Sequence, residues 1–190
     1  MLESEYGTVE DFLQTLNRLP TPSNESIEKG FMFEKWCEEN CLEVQGRVFQ
    51  YAEKKQININ GMKFLLYGRM DCIKAGVIYD FKYTGNYECG KYYGNVQTPA
   101  YFELLPEALE MKYIITNKCE TLFRMESEDN NELTIGTIFT ERYTREEITH
   151  ISSYILEFMN WLEFHGYMEL YKRNFVSMRN EVSYGKVGGE

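Results

Sequence analysis

Hydrophobic and polar positions along the middle of this chain fall into short blocks whose period changes at turn residues. Lys63-Phe-Leu-Leu-Tyr-Gly-Arg-Met-Asp-Cys-Ile73 and Val77-Ile-Tyr-Asp-Phe-Lys-Tyr83 are rich in aromatic and β-branched residues and read as strands. Lys74-Ala-Gly76 joins them as a turn. A strand-like stretch over 46–53 runs toward Asn60-Gly61, a hairpin signal leading into the Lys63 strand. Further strands are expected over 111–116, 121–126 and 133–140, the last two joined by a turn at Asp129-Asn-Asn131. Helical spacing appears over Ser23 to Cys41, over Asn95 to Leu105, and from the capping box Thr144-Arg-Glu-Glu147 to about His165. A short amphipathic helix over 8–16 is ended by Leu19-Pro-Thr-Pro22, and 176–190, with Gly185, Gly188 and Gly189, reads as a loose tail. The expected architecture is α/β: a central mixed sheet flanked by helices, in a single domain over 1–190 with its core at about 23–165.

Candidate chemistry enters where the two best strands meet. If Ala75-Gly76 is a two-residue loop, Lys74 pairs with Val77 and Asp71 faces Asp80 directly. A three-residue loop would make the two acids diagonal neighbours. Two carboxylates at ~5 Å with an effective dielectric of ~20 repel by about 3 kcal/mol, and a bound divalent cation reverses that sign. Lys82 shares the face of Asp80, while Phe81 points the other way into a core. Asp-x-Lys is also ordinary surface decoration. Here its neighbours Val77, Ile78, Tyr79, Phe81 and Tyr83 describe a central strand buried on both faces, where an Asp and a Lys need partners or a metal.

Two further segments supply polar groups. In the 23–41 helix, Ile27, Gly30, Phe31, Cys37 and Cys41 fall in one arc, and Glu34 lies inside it as a third carboxylate. Gly30, one turn earlier, permits close approach of another backbone or a substrate strand, or else marks a helix boundary. Gln97 and Tyr101 share a face at i, i+4, with Pro99 in the first turn. The pair suits phosphate or a base edge, although Tyr101 by itself is also a reasonable core aromatic.

The order Gly30-x-x-x-Glu34, Gly68-x-x-Asp71, Asp80-x-Lys82, Gln97-x-x-x-Tyr101 resembles the RecB-like branch of the PD-(D/E)XK nuclease superfamily, which includes bacterial recombination nucleases and many phage exonucleases. The likeness spans about residues 23–105. It implies a restriction-endonuclease-like core and a metal-dependent DNA exonuclease of phage or mobile-element type, acting in recombination or DNA processing. An endonuclease or junction-resolving enzyme on the same core is the alternative, and a non-cutting nuclease-like binding module is the third reading. Carried over, Glu34 is the first-helix acid, Asp71 and Asp80 bind metal together with the backbone carbonyl of Phe81, and Lys82 is the catalytic lysine. Gln97 and Tyr101 lie near the substrate, and Arg69 joins them. Oxygen donors without a His or thiol cluster suit Mg²⁺, with Mn²⁺ as a substitute. Cysteines stand at 37, 41, 72, 89 and 119, with none beyond. Some RecB-like nucleases hold an iron-sulfur cluster with a C-terminal cysteine group, so no iron-sulfur cluster is expected here.

Charge modifies this picture. With 20 basic and 30 acidic residues the net charge is −10, so a DNA partner must meet locally concentrated cations. Arg47, Lys54, Lys55, Lys63, Arg69, Lys82 and Lys91 all lie in the half carrying the motifs. A homo-oligomeric ring with an acidic exterior and a recombination partner protein are both compatible with that balance. The odd cysteine count fits reduced thiols in a cytoplasmic protein. No apolar run of membrane-spanning length occurs, so no membrane partner is expected. His150 and His165 have no partners at metal-ligand spacing and read as structural.

Overall fold

The computed structural model describes residues 25–117, 123–126 and 132–172. The expected 8–16 helix, the 129–131 turn and the 176–190 tail lie outside these residues. In chain order the elements are α1 (Glu25–Asn40), β1 (Val48–Ile59), β2 (Met62–Lys74), β3 (Val77–Thr84), α2 (Gln97–Leu104), β4 (Glu110–Asn117), β5 (Phe123–Glu126), β6 (Glu132–Ile135), β7 (Ile138–Thr144) and α3 (Ile151–Phe164). The fold is α/β. A five-stranded mixed sheet has the order β1-β2-β3-β4-β7, parallel between β3 and β4 and antiparallel elsewhere. β5 and β6 form a separate two-stranded ribbon.

Two-residue turns set the register of the first three strands. Asn60 and Gly61 have φ of 52° and 80°, and Ala75 and Gly76 have 46° and 80°. Both pairs place two consecutive residues at positive φ, the hairpin geometry whose twist matches the flanking strands. Lys74 therefore pairs with Val77, Ile73 with Ile78 and Cys72 with Tyr79, as the two-residue loop requires. β1 is longer than the sequence pattern shows, reaching Ile59 because its alternation continues through polar Glu53, Lys54, Lys55 and Gln56.

β3 is central, and its alternation divides the core in two. Ile78 joins Met70, Tyr101, Phe102, Met111 and Tyr113 in one cluster, while Tyr79 and Phe81 join Phe33, Cys37, Cys72 and Ile114 in the other. α2 covers the first face and α1 the second. Gly68 permits the approach of α2, because a Cβ there would lie 2.7 Å from Leu104 Cδ1 and 2.8 Å from Tyr101 Cε1. Arg145 closes the C-terminal end of α2, donating to the carbonyls of Phe102 (2.9 Å), Leu105 (3.1 Å), Pro106 (3.0 Å) and Ala108 (2.8 Å). A cation at orphan helix carbonyls meets both their lone pairs and the negative end of the dipole.

Three expectations are corrected. The α1 stripe is rotated: Phe33 and Cys37 are buried with Met32, Trp36 and Cys41 half-buried beside them, whereas Phe31 is 56% exposed. Glu34 thus lies at the edge of the stripe, roughly 80° from its centre at 3.6 residues per turn. The single strand over 133–140 is two strands in two sheets, because the chain breaks at Gly136, whose N–H donates to Thr116 Oγ1 at 3.1 Å. The capping box at Thr144 forms, with Thr144 N–H on Glu147 Oε2 at 2.7 Å. It opens only a 3-10 turn over Arg145–Glu147, and extended Ile148 packs on the core before α3 begins at Ile151.

The described residues divide into two compact units, 25–154 and 155–172, and the boundary falls inside α3. In the second unit Phe158 packs edge-on to Tyr171 at 5.6 Å, and Trp161 contacts His165 at 4.5 Å, which gives His165 a packing role. Among the described residues no helix is long and apolar enough to cross a membrane.

Candidate functional site

The ladder between β2 and β3 ends at Cys72–Tyr79 although both strands continue, so the two part just before Asp71 and Asp80. Direct opposition of the acids is therefore corrected. Asp71 Oδ2 accepts from the Phe81 N–H at 2.9 Å, taking the place of a main-chain acceptor. On the other side β1 is irregular at the same level. Phe49 pairs with Cys72 and Tyr51 with Met70, leaving Gln50 opposite Asp71 at φ 53°. Both strands change sides there: Phe49 and Cys72 pack in the cluster under α1, Tyr51 and Met70 in the cluster under α2. A non-glycine residue in the left-handed region inside a strand marks a local kink, and the pairing keeps the same register on either side of it. The Gln50 amide donates to Glu34 Oε1, which ties α1 to this point of the sheet.

Asp80 is 1% exposed. Its Oδ1 accepts from Gln97 Nε2 at 2.6 Å, and Lys82 Nζ lies 2.6 Å from its Oδ2. That last contact is an ion pair, and it supplies the buried Oδ2 with a cationic partner. Lys82 Nζ instead donates to Gln97 Oε1 at 3.0 Å and stands 5.8 Å over the Tyr113 ring. Gln97 Nε2 also reaches Tyr101 Oη at 2.9 Å, and Tyr101 Oη donates to the Arg69 carbonyl at 2.6 Å. The strand alternation and the i, i+4 spacing thus bring Asp80, Lys82, Gln97 and Tyr101 into one network. Tyr101 fills both roles, since its ring is 6% exposed and belongs to the core. Phe81 faces the opposite cluster, and the Arg69 side chain is exposed.

Burial dominates the electrostatics of these acids and outweighs the cations beside them. Burial, then the charges of Asp71 and Asp80, raise Glu34 to about 7 against an opposing effect of Arg69. Burial also raises Asp71 and Asp80; Lys82 opposes the shift at Asp80, and the Phe81 N–H opposes it at Asp71. Among the described residues, no three His, Cys, Asp or Glu side chains are gathered as a ready cation cage. The donor set nonetheless suits a hard cation: the acids present oxygen, and buried Asp80 Oδ2 already has the Lys82 ammonium beside it.

Gln50 is the site residue that sequence reasoning missed. Its backbone irregularity has no residue signature, because positive φ in a strand is signalled by Gly or Asn and Gln50 is neither. Glu141, also unflagged, is a buried carboxylate accepting from Tyr87 Oη (2.9 Å), Gly90 N–H (2.8 Å), Tyr92 N–H (3.3 Å) and Tyr143 Oη (2.6 Å). It pins the loop leading to Gln97 and needs no other ligand. His150 bridges Ser152 Oγ at 2.8 Å and Glu103 Oε2 at 3.2 Å at the start of α3.

No family model matches the chain, and no curated protein matches it. Among solved structures the chain is similar to the one described as "Crystal structure of SSO0001", at 15% identity and TM-score 0.47, covering 75% of this chain. The match spans 59% of that protein, less than two thirds of its length.

Proposed function

We propose that the chain is a divalent-metal-dependent nuclease with a restriction-endonuclease-like core, acting on DNA as an exonuclease. The observation that carries this reading is the buried Asp80–Lys82–Gln97 network where β2 and β3 part, with Asp71 beside it on the Phe81 N–H and Glu34 tied to the same level of the sheet by Gln50. Buried acids that raise one another's affinity for protons are poor structural elements and good ligands for a hard cation.

Asp71, Asp80 and Glu34 would hold Mg²⁺ or Mn²⁺, with the Phe81 carbonyl alongside. When bound, the ion supplies a nucleophilic water at neutral pH and charge stabilisation on phosphoryl oxygens. Lys82, held beside Asp80 by Gln97, would supply an ammonium to stabilise charge that develops on the phosphate. Gln97 keeps Lys82 and Asp80 in register throughout, because its amide holds both. Tyr101 holds Gln97 to the backbone of β2. A cytoplasmic setting agrees with the free thiols of Cys37, Cys41, Cys72 and Cys89.

The test is digestion of end-labelled linear and closed circular DNA by wild type and Lys82→Ala, in Mg²⁺, Mn²⁺ or EDTA. Metal-dependent loss of the linear form alone, reduced at least a hundredfold in Lys82→Ala, is expected. Cutting of circles would assign an endonuclease on the same site. No cutting by folded, metal-binding protein would overturn the nuclease reading in favour of a binding module.

A further inference from the structure

The β1–β2 hairpin extends beyond the candidate site, and its outward face is chemically one-sided. Lys63, Leu65, Tyr67 and Arg69 project from β2, and Lys54 stands across the ladder from Tyr67. All five are exposed, with Tyr67 at 60% and Leu65 at 42%. None of the outward residues over 52–58 and 63–69 is a carboxylate, in a chain with 30 acids against 20 bases. The inward face of the same hairpin is different. There Glu53 accepts from Tyr51 Oη at 2.9 Å, and Lys55 is paired with Glu103 at 2.6 Å. Among the described residues Lys54, Lys63 and Arg69 enter no ion pair.

The face leads to the acids. A rise of about 3.4 Å per residue sets Lys63 and Arg69 about 20 Å apart along β2. Arg69 is two residues from Asp71, and its charge acts on both Asp71 and Glu34. We propose that this face is the track on which a single polynucleotide strand lies as it enters the site, its phosphates on Lys54, Lys63 and Arg69 and an unstacked base on Tyr67. The assignment rests on the nuclease reading for its destination and on the hairpin itself for its chemistry. Unpaired cations on an otherwise acidic protein complement phosphate. An exposed aromatic between them offers a π-face that an unpaired base can stack on, whereas a duplex keeps its base faces inside. One exposed ring and one Leu are too little apolar surface for the core of a protein interface.

The test is fluorescence anisotropy of labelled oligothymidylate, oligouridylate and a duplex of the same length, in EDTA so that nothing is cut. Tyr67→Ala is expected to weaken single-strand binding about tenfold, with Tyr67→Phe like wild type. The Lys54→Ala/Lys63→Ala double variant should lower the slope of log affinity against log salt by about 1.4. Melting temperatures confirm that these surface variants fold. Tight binding of either single strand supports the track, and the two strands tell DNA from RNA. Wild-type binding by Tyr67→Ala and the double variant overturns it, as does a face-dependent preference for duplex. A variant that changes the protein's mass while strand binding is intact also overturns it, assigning the face to a second copy. Face-dependent binding without metal-dependent cutting removes the nuclease and keeps the track. Cutting of single strands with a KM unmoved by the face variants keeps the nuclease and removes the track.

Discussion

A half-buried carboxylate beside two others holds its proton more tightly than a free one, and Glu34 does so up to about 7, first through burial and then through Asp71 and Asp80. Between pH 4.5, its ordinary value, and about 7 the folded protein binds a proton that the unfolded chain has released. Stability therefore falls as pH rises through that window. Asp71 and Asp80 are shifted in the same direction and reinforce the slope. In EDTA the melting temperature of wild type should drop relative to Glu34→Gln between these pH values, and a difference flat in pH would refute the coupling. Divalent-cation affinity should rise through the same window, because ligation needs the ionised acids. The identity of these acids was readable from residue order. Their proton affinity was not, because it depends on how deeply each is buried and on how close α1 comes to the sheet.

At the scale of elements, the turns were legible because their chemistry is local. Asn60-Gly61 and Ala75-Gly76 are both two-residue loops, and Ala75 takes the left-handed region at a cost of about 1 kcal/mol. The phase of α1 was not legible, since counting Gly30 and Phe31 as apolar rotates the stripe away from the face that β3 actually covers. The end of β7 failed for a related reason. Thr144 and Glu147 form their capping box, but Arg145 is drawn to the C-terminal carbonyls of α2, a partner distant in sequence. Gly68 shows the converse. Its role is invisible in β2 alone and evident once α2 lies on it. Gly68→Ala should destabilise by about 1–3 kcal/mol, because the Leu104 tip can move and the Tyr101 ring, fixed through its hydroxyl to Arg69 and Gln97, cannot. Urea unfolding measures the loss, and a midpoint equal to wild type would show that α2 is free to shift. The proposed nuclease activity should fall with it, since Tyr101 supports Gln97.

At the scale of the whole molecule, Glu34, Asp71 and Asp80 all hold their protons above the ordinary carboxylate range, so ionising them in the folded state costs stability. Asp71→Asn removes a charge while keeping an oxygen for the Phe81 N–H, so in EDTA it should raise the melting temperature by about 2–4 °C, the equivalent of about 1 kcal/mol. Added Mg²⁺ should then stabilise wild type more than the variant. A lower melting temperature in metal-free Asp71→Asn would show that repulsion among the acids is outweighed by what the Asp71 carboxylate gains from its Phe81 N–H and nearby cations. Three cations, Lys54, Lys63 and Arg69, share one carboxylate-free face of the hairpin, a local arrangement that net charge conceals. By itself the sequence determined the alternation of strands, their two tight turns and the mixed α/β architecture, and it offered Glu34, Asp71, Asp80, Lys82, Gln97 and Tyr101 as candidates. All of these follow from local period, turn chemistry and motif order. Only the tertiary structure decided that β2 and β3 part at the acids, that Gln50 tethers Glu34, that Gly68 seats α2, and that one hairpin face is free of carboxylates. Each of those depends on which residues distant in the chain come to share space, and no local pattern encodes that.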